Sequence, residues 1–334
     1  MPGHVAVVNA GAWGTALAVV LASRGHAVRL LCRRAEAALE LQTGRENRTY
    51  LPGVRLAADV LVTASVQEAI VGARAVLLAP ISIAMRETAR VVAPYLAADV
   101  PVLHATKGLE LPSLSRLSEV VADELRRPAA GVAVLSGPTH AEEVGRGVPT
   151  AAVIACSDEV FAAGFQALLH GPRFRVYRST DVVGVELCGA LKNVVALATG
   201  ALDGLGYGDN TRAALITRGL AEITRLVQAA GGDPRTVAGL AGLGDVIVTC
   251  TSRHSRNRWA GEQIGRGASV AEVLARTPQV IEGIPATTAA LQLARRYRVE
   301  MPVCEQVDAV LRGEAPVGQA MDRLMSREPT AELR

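Results

Sequence analysis

Val5-Ala6-Val7-Val8-Asn9-Ala10-Gly11-Ala12-Trp13-Gly14-Thr15-Ala16-Leu17-Ala18 decides how the rest of the chain is read. Val5 to Val8 are small or β-branched apolar residues, as a parallel strand covered on both faces requires. Gly11 and Gly14 follow, and residues 15–22 continue as good helix formers. Strand, sharp turn and helix start together approximate the dinucleotide fingerprint, whose glycines permit the turn and let the backbone approach a pyrophosphate at a helix N-terminus. The first glycine position holds Asn9. Asparagine is among the non-glycine residues that best tolerate positive φ, so it makes the turn at a strain of about 1 kcal/mol and leaves Gly11 and Gly14 to their roles.

A chain of 334 residues has room for two domains, each with its own core. Half of the residues are hydrophobic and 20% are charged, which excludes a disordered chain. Aromatic residues make up 3% and the formal charge is +3, so neither base stacking nor a broad basic surface supports nucleic-acid binding. The five cysteines, Cys32, Cys156, Cys188, Cys250 and Cys304, include no Cys-x-x-Cys pair. They read as small buried residues of a reducing compartment, with no disulfide framework and no metal site. No apolar run approaches the ~18 residues of a membrane span, and the first strand begins without a basic, cleavable leader ahead of it. A cytoplasmic protein without a membrane span is expected.

Gly25-His26 ends the first helix and residues 27–32 form a second strand, as in a right-handed βαβ unit. His26 has no partner at metal-ligand spacing and takes a structural role at the helix end. Arg33-Arg34 then stand where an NAD-specific site carries a carboxylate. Two guanidiniums suit the 2′-phosphate of NADP and are disfavoured as plain residues of a positive helix N-terminus. This favours NADP(H), with NAD(H) still usable; a solvated helix start is the alternative. Residues 75–79 run into Pro80-Ile81-Ser82 and a helix through about Val92, and residues 102–105 run into Thr106-Lys107-Gly108. Both tips lie at the carboxyl ends of strands, where ligands of open α/β sheets sit. Lys107 there is either a partner for a phosphate or a developing oxyanion, or a surface cation. Residues 132–136 form a further strand that Gly137-Pro138 stops, and Thr139 is read as the N-cap of a helix with Glu142 and Glu143 in its first turn. Strands over 150–155 and 174–177 flank a helix near 160–169.

Beyond Asp181 helical patterns take over. Residues 183–202 are apolar almost all round, as a buried central helix should be, yet Lys192 and Asn193 lie in the middle. An unpaired buried ammonium costs several kcal/mol, so Lys192 is either put to use or snorkels to the surface. A helix over 211–231 is followed by Leu240-Ala241-Gly242-Leu243-Gly244-Asp245, read as a close backbone turn before an acid. Thr251-Ser252-Arg253-His254-Ser255-Arg256-Asn257-Arg258 then gathers hydroxyls, an amide and three guanidiniums at a helix start. Ser255 as N-cap with Arg256 and Asn257 next makes a phosphate clamp; a solvated basic loop is the alternative. Residues 268–327 read as three or so helices broken by Pro278, Pro285, Pro302 and Pro316, and the tail from Glu328 as fraying. Glu282-Gly283 lies between two breaks, where Glu282 either bonds a ribose hydroxyl or ends a helix. The fold class is α/β: a Rossmann-like dinucleotide-binding domain over 1–180, then an all-helical domain over 181–330.

With these motifs in this order, the chain resembles the bacterial-type NAD(P)-dependent glycerol-3-phosphate dehydrogenases over nearly its whole length. The resemblance rests on Trp13-Gly14-Thr15-Ala16-Leu17-Ala18, Ala105-Thr106-Lys107-Gly108-Leu109-Glu110, Ser136-Gly137-Pro138-Thr139 and Gly189-Ala190-Leu191-Lys192-Asn193-Val194. Gly242-Leu243-Gly244-Asp245, Thr249-Cys250-Thr251, Ser255-Arg256-Asn257-Arg258 and Glu282-Gly283 extend it. It implies reversible hydride transfer between a nicotinamide and dihydroxyacetone phosphate or sn-glycerol 3-phosphate, feeding glycerophospholipid biosynthesis, in a homodimer. It further implies that Lys192 is the proton acceptor of the oxidative direction. Lys107, Gly137, Thr139, Lys192, Asp245, Ser255, Arg256 and Asn257 match substrate-contacting positions. Cofactor contacts are implied for Trp13, Arg33, Arg34, Lys107, Ala141, Arg256, Val280 and Glu282, beside Asn9, Gly11, Ala12 and Gly14 of the turn. The chain departs from the family at Asn9, at Ala12 where a serine is frequent, and at Thr139-His140 where Ser-Phe is commoner.

The chemistry agrees. Reducing a ketone needs a hydride on carbon and a proton on oxygen; burial and a second cation both work against an ammonium, which suits a group that exchanges a proton near neutral pH. A related β-hydroxyacid or ketopantoate-type reductase would not need the Ser255–Arg258 cluster, and a non-catalytic NADP-binding sensor would not need two lysines and Asp245.

Overall fold

The computed structural model describes residues 3–277, 279–329, 331 and 332. Its sheet has eight strands: β1 (His4–Val8), β2 (Val28–Leu31), β3 (Leu61–Thr63), β4 (Ala73–Leu78), β5 (Val102–His104), β6 (Val132–Ser136), β7 (Thr150–Ala155) and β8 (Phe174–Ser179). They lie in the order β3-β2-β1-β4-β5-β6-β7-β8. The first six pair in parallel, β7 runs antiparallel to β6, and β8 pairs in parallel with β7. The pleat explains the continuous apolar run of β1. Val5 and Val7 join one core with Leu17, Leu30 and Leu77, whereas Ala6 and Val8 join another with Leu31, Leu78 and Met85 on the opposite face. Because β1 lies between β2 and β4, the chain order reverses there, and the crevice past the carboxyl ends of β1 and β4 is the switch point where such sheets bind ligands.

From Val182 the architecture is helical. The helix Val182–Gly204 is buried along nearly its whole length and shares a core with Val134 of β6 and Val153 of β7. It is long and apolar enough to cross a membrane, contrary to the expectation that no such run exists, but 94% of its apolar window is buried inside the protein. The helix Arg256–Gly265 lies against it at backbone distance: a Cβ at Gly200 would stand 1.9 Å from the Arg258 carbonyl oxygen, and one at Gly261 1.9 Å from that of Leu197. This contact fixes the height of Arg256 and Asn257 relative to Lys192 and Asn193.

Several expectations need correction. Thr139 does not cap the helix Ala141–Gly145; His140 occupies the N-cap position without a side-chain bond, and the Thr139 hydroxyl donates to the Gly137 carbonyl oxygen (3.1 Å). Leu240–Gly244 is no turn but a π-helical segment leading into the helix Asp245–Thr251. Where three or so helices are expected after residue 268, the described residues form four: Val270–Ala275, Gly283–Tyr297, Pro302–Leu311 and Val317–Met325. Pro285 does not break a helix, because it lies in the first turn of Gly283–Tyr297, where a missing N–H is tolerated. The expectations on Pro278 and on the tail at 330, 333 and 334 lie outside the described residues. His26 is structural as expected: its Nε2 faces the Leu168 carbonyl oxygen at 3.1 Å and its Nδ1 the Arg74 guanidinium at 2.8 Å.

Candidate active site

Three segments distant in sequence converge on one carboxylate. Beyond β5 the chain turns through Thr106, whose hydroxyl donates to the Pro80 carbonyl oxygen (2.6 Å) and so joins the tips of β4 and β5. Lys107 follows. The helix Val182–Gly204 crosses this tip at Gly189, where a Cβ would come 3.0 Å from Ser136 Oγ and 3.5 Å from Lys107 Cγ. Lys192 lies one turn further on. The helix Asp245–Thr251 presents Asp245 and Thr249 on one face by their i, i+4 spacing.

Asp245 Oδ1 accepts from Lys192 Nζ at 2.6 Å, and Oδ2 stands 2.6 Å from Lys107 Nζ. Lys192 Nζ also donates to Thr249 Oγ1 (2.7 Å), whose hydroxyl is 2.6 Å from the Asp245 carbonyl oxygen. Lys107 Nζ donates to the Gly137 carbonyl oxygen (2.8 Å) and to Thr139 Oγ1 (3.3 Å). Lys192 is 7% exposed and Asp245 1%, so Lys192 does not snorkel, and Lys107 is no plain surface cation. Burial pushes the Asp245 carboxyl up, but Lys107 and Lys192 outweigh it and hold it below the usual carboxylate range. Burial lowers the Lys107 ammonium to about 8; Asp245 opposes the shift and Lys192 adds to it. Two ammoniums against one carboxylate leave a net positive centre, which suits an anionic substrate and an oxygen that gains charge during reaction.

The basic cluster is narrower than the sequence suggests. Ser255 caps the helix Arg256–Gly265, accepting from the Arg258 N–H at 3.2 Å. The Arg256 side chain makes no hydrogen bond or ion pair with the described residues, and the carboxylates acting on it are Glu282 and Glu142. Arg258 leaves the clamp to pair with Asp203 at 2.7 Å. Asn257 is buried and engaged on both sides: its Nδ2 donates to Asn193 Oδ1 and its Oδ1 accepts from the Gly283 N–H, each at 2.8 Å. It ties the Lys192 helix to the clamp and to Glu282. The Glu282 carboxylate accepts from the Ser82 N–H (3.2 Å) and hydroxyl (2.7 Å), bridging the helical part to the tip after β4.

The cofactor candidates lie along the strand tips. Asn9 has φ 78°, the left-handed conformation expected of it. Asn47 Nδ2 holds the turn, donating to the Ala10 carbonyl oxygen (2.9 Å) and Thr15 Oγ1 (2.8 Å). At Gly11 the place of a Cβ is open space, and the helix Ala12–Ser23 begins there with Ala12 and Trp13 half-buried. An open, positive helix start is what a pyrophosphate requires. Arg33 and Arg34 are exposed past β2 and unpaired with the described residues. Ala141 is buried at the start of its short helix, and Val280 is half-buried two residues before Glu282. Direct contacts thus unite Lys107, Gly137, Thr139, Lys192 and Asp245; Asn257 and Glu282 join through bonded neighbours, and Arg33 and Arg34 stand apart. Sequence reasoning missed Thr249 and Ser82 as contacts; the i, i+4 spacing of Asp245 and Thr249 was the available signal for the first.

The sequence and fold have known counterparts. Residues 4–162 match the family model described as NAD-dependent glycerol-3-phosphate dehydrogenase N-terminus, and residues 181–322 match that of its C-terminus. The chain belongs to this family. It is 51% identical to the glycerol-3-phosphate dehydrogenase [NAD(P)+] of Moorella thermoacetica, over all of this chain and 98% of that one. The identity to the enzyme of the same name from Pelotomaculum thermopropionicum is 48%, over all of this chain and 96% of that one. The crystal structure of glycerol-3-phosphate dehydrogenase from Coxiella burnetii superposes with a TM-score of 0.91 at 40% identity, covering 97% of this chain and 99% of that one. With both halves matched to one dehydrogenase family, the ketopantoate-type and sensor readings are not favoured.

Proposed function

We propose that this member of the glycerol-3-phosphate dehydrogenase family interconverts dihydroxyacetone phosphate and sn-glycerol 3-phosphate with NADP(H), using Lys192 as the proton-exchanging group. The observation that carries the reading is the Lys107–Asp245–Lys192 bridge, buried at the junction of sheet and helices. The nicotinamide, when bound, supplies or takes the hydride. Lys192, aimed by Asp245 and Thr249, gives its proton to the carbonyl oxygen of C2 in reduction and takes it back in oxidation. Lys107 supplies a second positive charge to that oxygen as it becomes an alkoxide. Ser255 and Arg256 hold the phosphate, so binding at the far end of the substrate positions the reacting carbon; Asn257 aligns the clamp with Lys192. Asn9, Gly11, Ala12, Trp13, Gly14, Ala141, Val280 and Glu282 line the path of the dinucleotide, and Arg33 and Arg34 receive the 2′-phosphate.

This division of labour assigns residues 1–180 to the cofactor and 181–330 to catalysis and substrate, a boundary supported by the change from strand to helix between Ser179 and Val182. On the family resemblance, the working form is a cytoplasmic homodimer serving glycerophospholipid synthesis; light scattering tests the dimer. The decisive assay follows reduced-nicotinamide absorbance with NADPH and dihydroxyacetone phosphate. Oxidation dependent on the phosphorylated ketone is expected, and its absence from folded protein would sink the proposal.

A further inference from the structure

A second buried carboxylate stands on the Lys192 helix and has no part in the proposed proton transfer. Glu186 lies in the helix Val182–Gly204, two turns before Lys192, and is 4% exposed. Its Oε1 accepts from the Ser118 N–H (2.9 Å) and faces His104 Nε2 at 3.1 Å. Its Oε2 accepts from the Ser118 hydroxyl (2.6 Å) and from Arg116 Nη1 (2.9 Å). Burial pushes this carboxyl up, but His104, Arg116 and Ser118 outweigh it and hold it below the usual carboxylate range. An ionised carboxylate only accepts, so the hydrogen between the two side chains sits on His104 Nε2. It is the ring's one bond among the described residues, because Nδ1 has no partner there.

Arg116 and Ser118 belong to the start of the helix Leu117–Glu124, away from the lysine centre. His104 differs. It is the last residue of β5, fully buried, and Lys107 follows it by three positions. The Lys192 helix thus meets the end of β5 and its extension at successive i, i+3 positions: Glu186 at His104, Gly189 beside Lys107, and Lys192 through Asp245 at Lys107 Nζ. Glu186 and Lys192 are about 9 Å apart along the axis at 1.5 Å per residue. The rest of this helix is buried and apolar almost all round, and such a surface selects neither its own height nor its rotation. A buried ion pair adds little stability over well-packed apolar groups, but its directional bonds fix register.

We propose that Glu186 is a positioning residue: its bond to His104 sets the height and rotation of the Lys192 helix against the strand that delivers Lys107, so that the two ammoniums meet the two oxygens of Asp245. The inference deepens the function proposed above and rests on it for the reaction. The chain carries its own reporter of this geometry, since Lys107 and Lys192 are the only lysines in its sequence. Protein enriched in the NMR-visible carbon isotope at lysine Cε therefore gives one signal for each, and their titration depends on how the two amines and Asp245 stand to one another.

The test compares His104→Leu, which cuts the bond, with His104→Gln, which keeps an N–H donor of similar reach. In H104L, kcat for dihydroxyacetone phosphate should fall about tenfold or more, KM for NADPH should stay within about twofold, and a lysine titration midpoint should move by more than about 0.5 pH. In H104Q, kcat should return to within about threefold of wild type and the lysine midpoints to their places. Glu186→Asp tests the link from the helix side: it keeps the charge but is one methylene shorter, and it should show the same loss in kcat and the same lysine movement. A lowered Tm in H104L with kcat and lysine midpoints unchanged overturns the inference, leaving a purely structural bond. Equal losses in H104L and H104Q also overturn it, because packing at this position and not the bond would then matter. Should H104L fail to fold, folded E186D decides, and wild-type kcat with unmoved lysines overturns the inference. If wild type fails to oxidise NADPH with dihydroxyacetone phosphate, the functional reading falls, and the lysine titrations still decide the role of Glu186.

Discussion

Lys192 and Asp245, 53 positions apart in the chain, meet at 2.6 Å with 7% and 1% of their surfaces exposed. A buried pair of this kind is held by geometry: desolvating both charges costs several kcal/mol, offset only when each finds further partners, here Thr249 and Lys107. Lys192→Ala should lower kcat by about 10³-fold or more, while the Kd for NADPH stays within about twofold of wild type. Near-normal kcat would end the assignment of Lys192. Asp245→Asn should instead reduce both activity and stability, by about 3 kcal/mol in urea unfolding, because the buried Lys192 and half-buried Lys107 ammoniums then lose their shared anion.

The second cation predicts a pH limb. Burial brings Lys107 down to about 8, so its charged form is present below that pH and disappears as pH rises through it. If that charge stabilises the developing alkoxide, kcat/KM for dihydroxyacetone phosphate falls above about pH 8. Lys107→Arg, which keeps its charge, should shift this limb beyond the accessible range. A limb that persists unchanged in the arginine variant belongs to another group.

Stability should carry a different signature, from Glu222. This residue is 2% exposed and accepts the N–H groups of Val303 (2.6 Å) and Cys304 (3.2 Å) at the start of the helix Pro302–Leu311. Burial raises its carboxyl to about 7, against the pull of those N–H groups and of Arg225. The folded protein thus holds this proton more tightly than the unfolded chain, whose glutamate titrates near 4.5. The stability it contributes is complete below about 4.5 and is lost as pH rises through 7, on the order of 3 kcal/mol. Glu222→Gln retains an acceptor and cannot ionise, so the difference in Tm between the two proteins should grow in its favour from pH 5 to 8. A constant difference across that range would refute the mechanism.

The role proposed for Arg33 and Arg34 concerns cofactor choice alone. Both are exposed and unpaired with the described residues, so replacing them should leave the fold intact. The double alanine variant should raise KM for NADPH about tenfold or more, with KM for NADH within about twofold. Comparable kcat/KM for NADPH and NADH in wild type would remove the preference itself.

What could be read from the chain was what local chemistry dictates. Val5–Val8 announced a two-faced strand, and an apolar helix interrupted by Lys192 announced a buried charge in need of partners, because each requirement is contained in a short stretch. The antiparallel direction of β7 was not legible, since strand pairing depends on neighbours distant in sequence. Arg258 sits in the same run as Arg256, yet only the close packing at Gly200 and Gly261 decides that it turns to Asp203. Thr139 illustrates competition: its hydroxyl could cap a helix, but Lys107 and the Gly137 carbonyl claim it first.

The turn after β1 separates two kinds of glycine requirement. At position 9 the need is conformational: φ is 78°, which asparagine adopts with a strain of about 1 kcal/mol. At Gly14 the need is space, because a Cβ there would stand 1.9 Å from the Asn9 carbonyl oxygen, a backbone atom that cannot move without opening the turn. Asn9→Gly should therefore leave kcat similar and tighten NADPH binding by no more than about fivefold, the whole of the relieved strain. Gly14→Ala should weaken NADPH binding by more than about tenfold and lower Tm, because the helix must back away from the strand that aims its N-terminus. A large gain in kcat from Asn9→Gly would show that the asparagine compromises the loop, and a neutral Gly14→Ala would show that the helix start is not fixed by this contact.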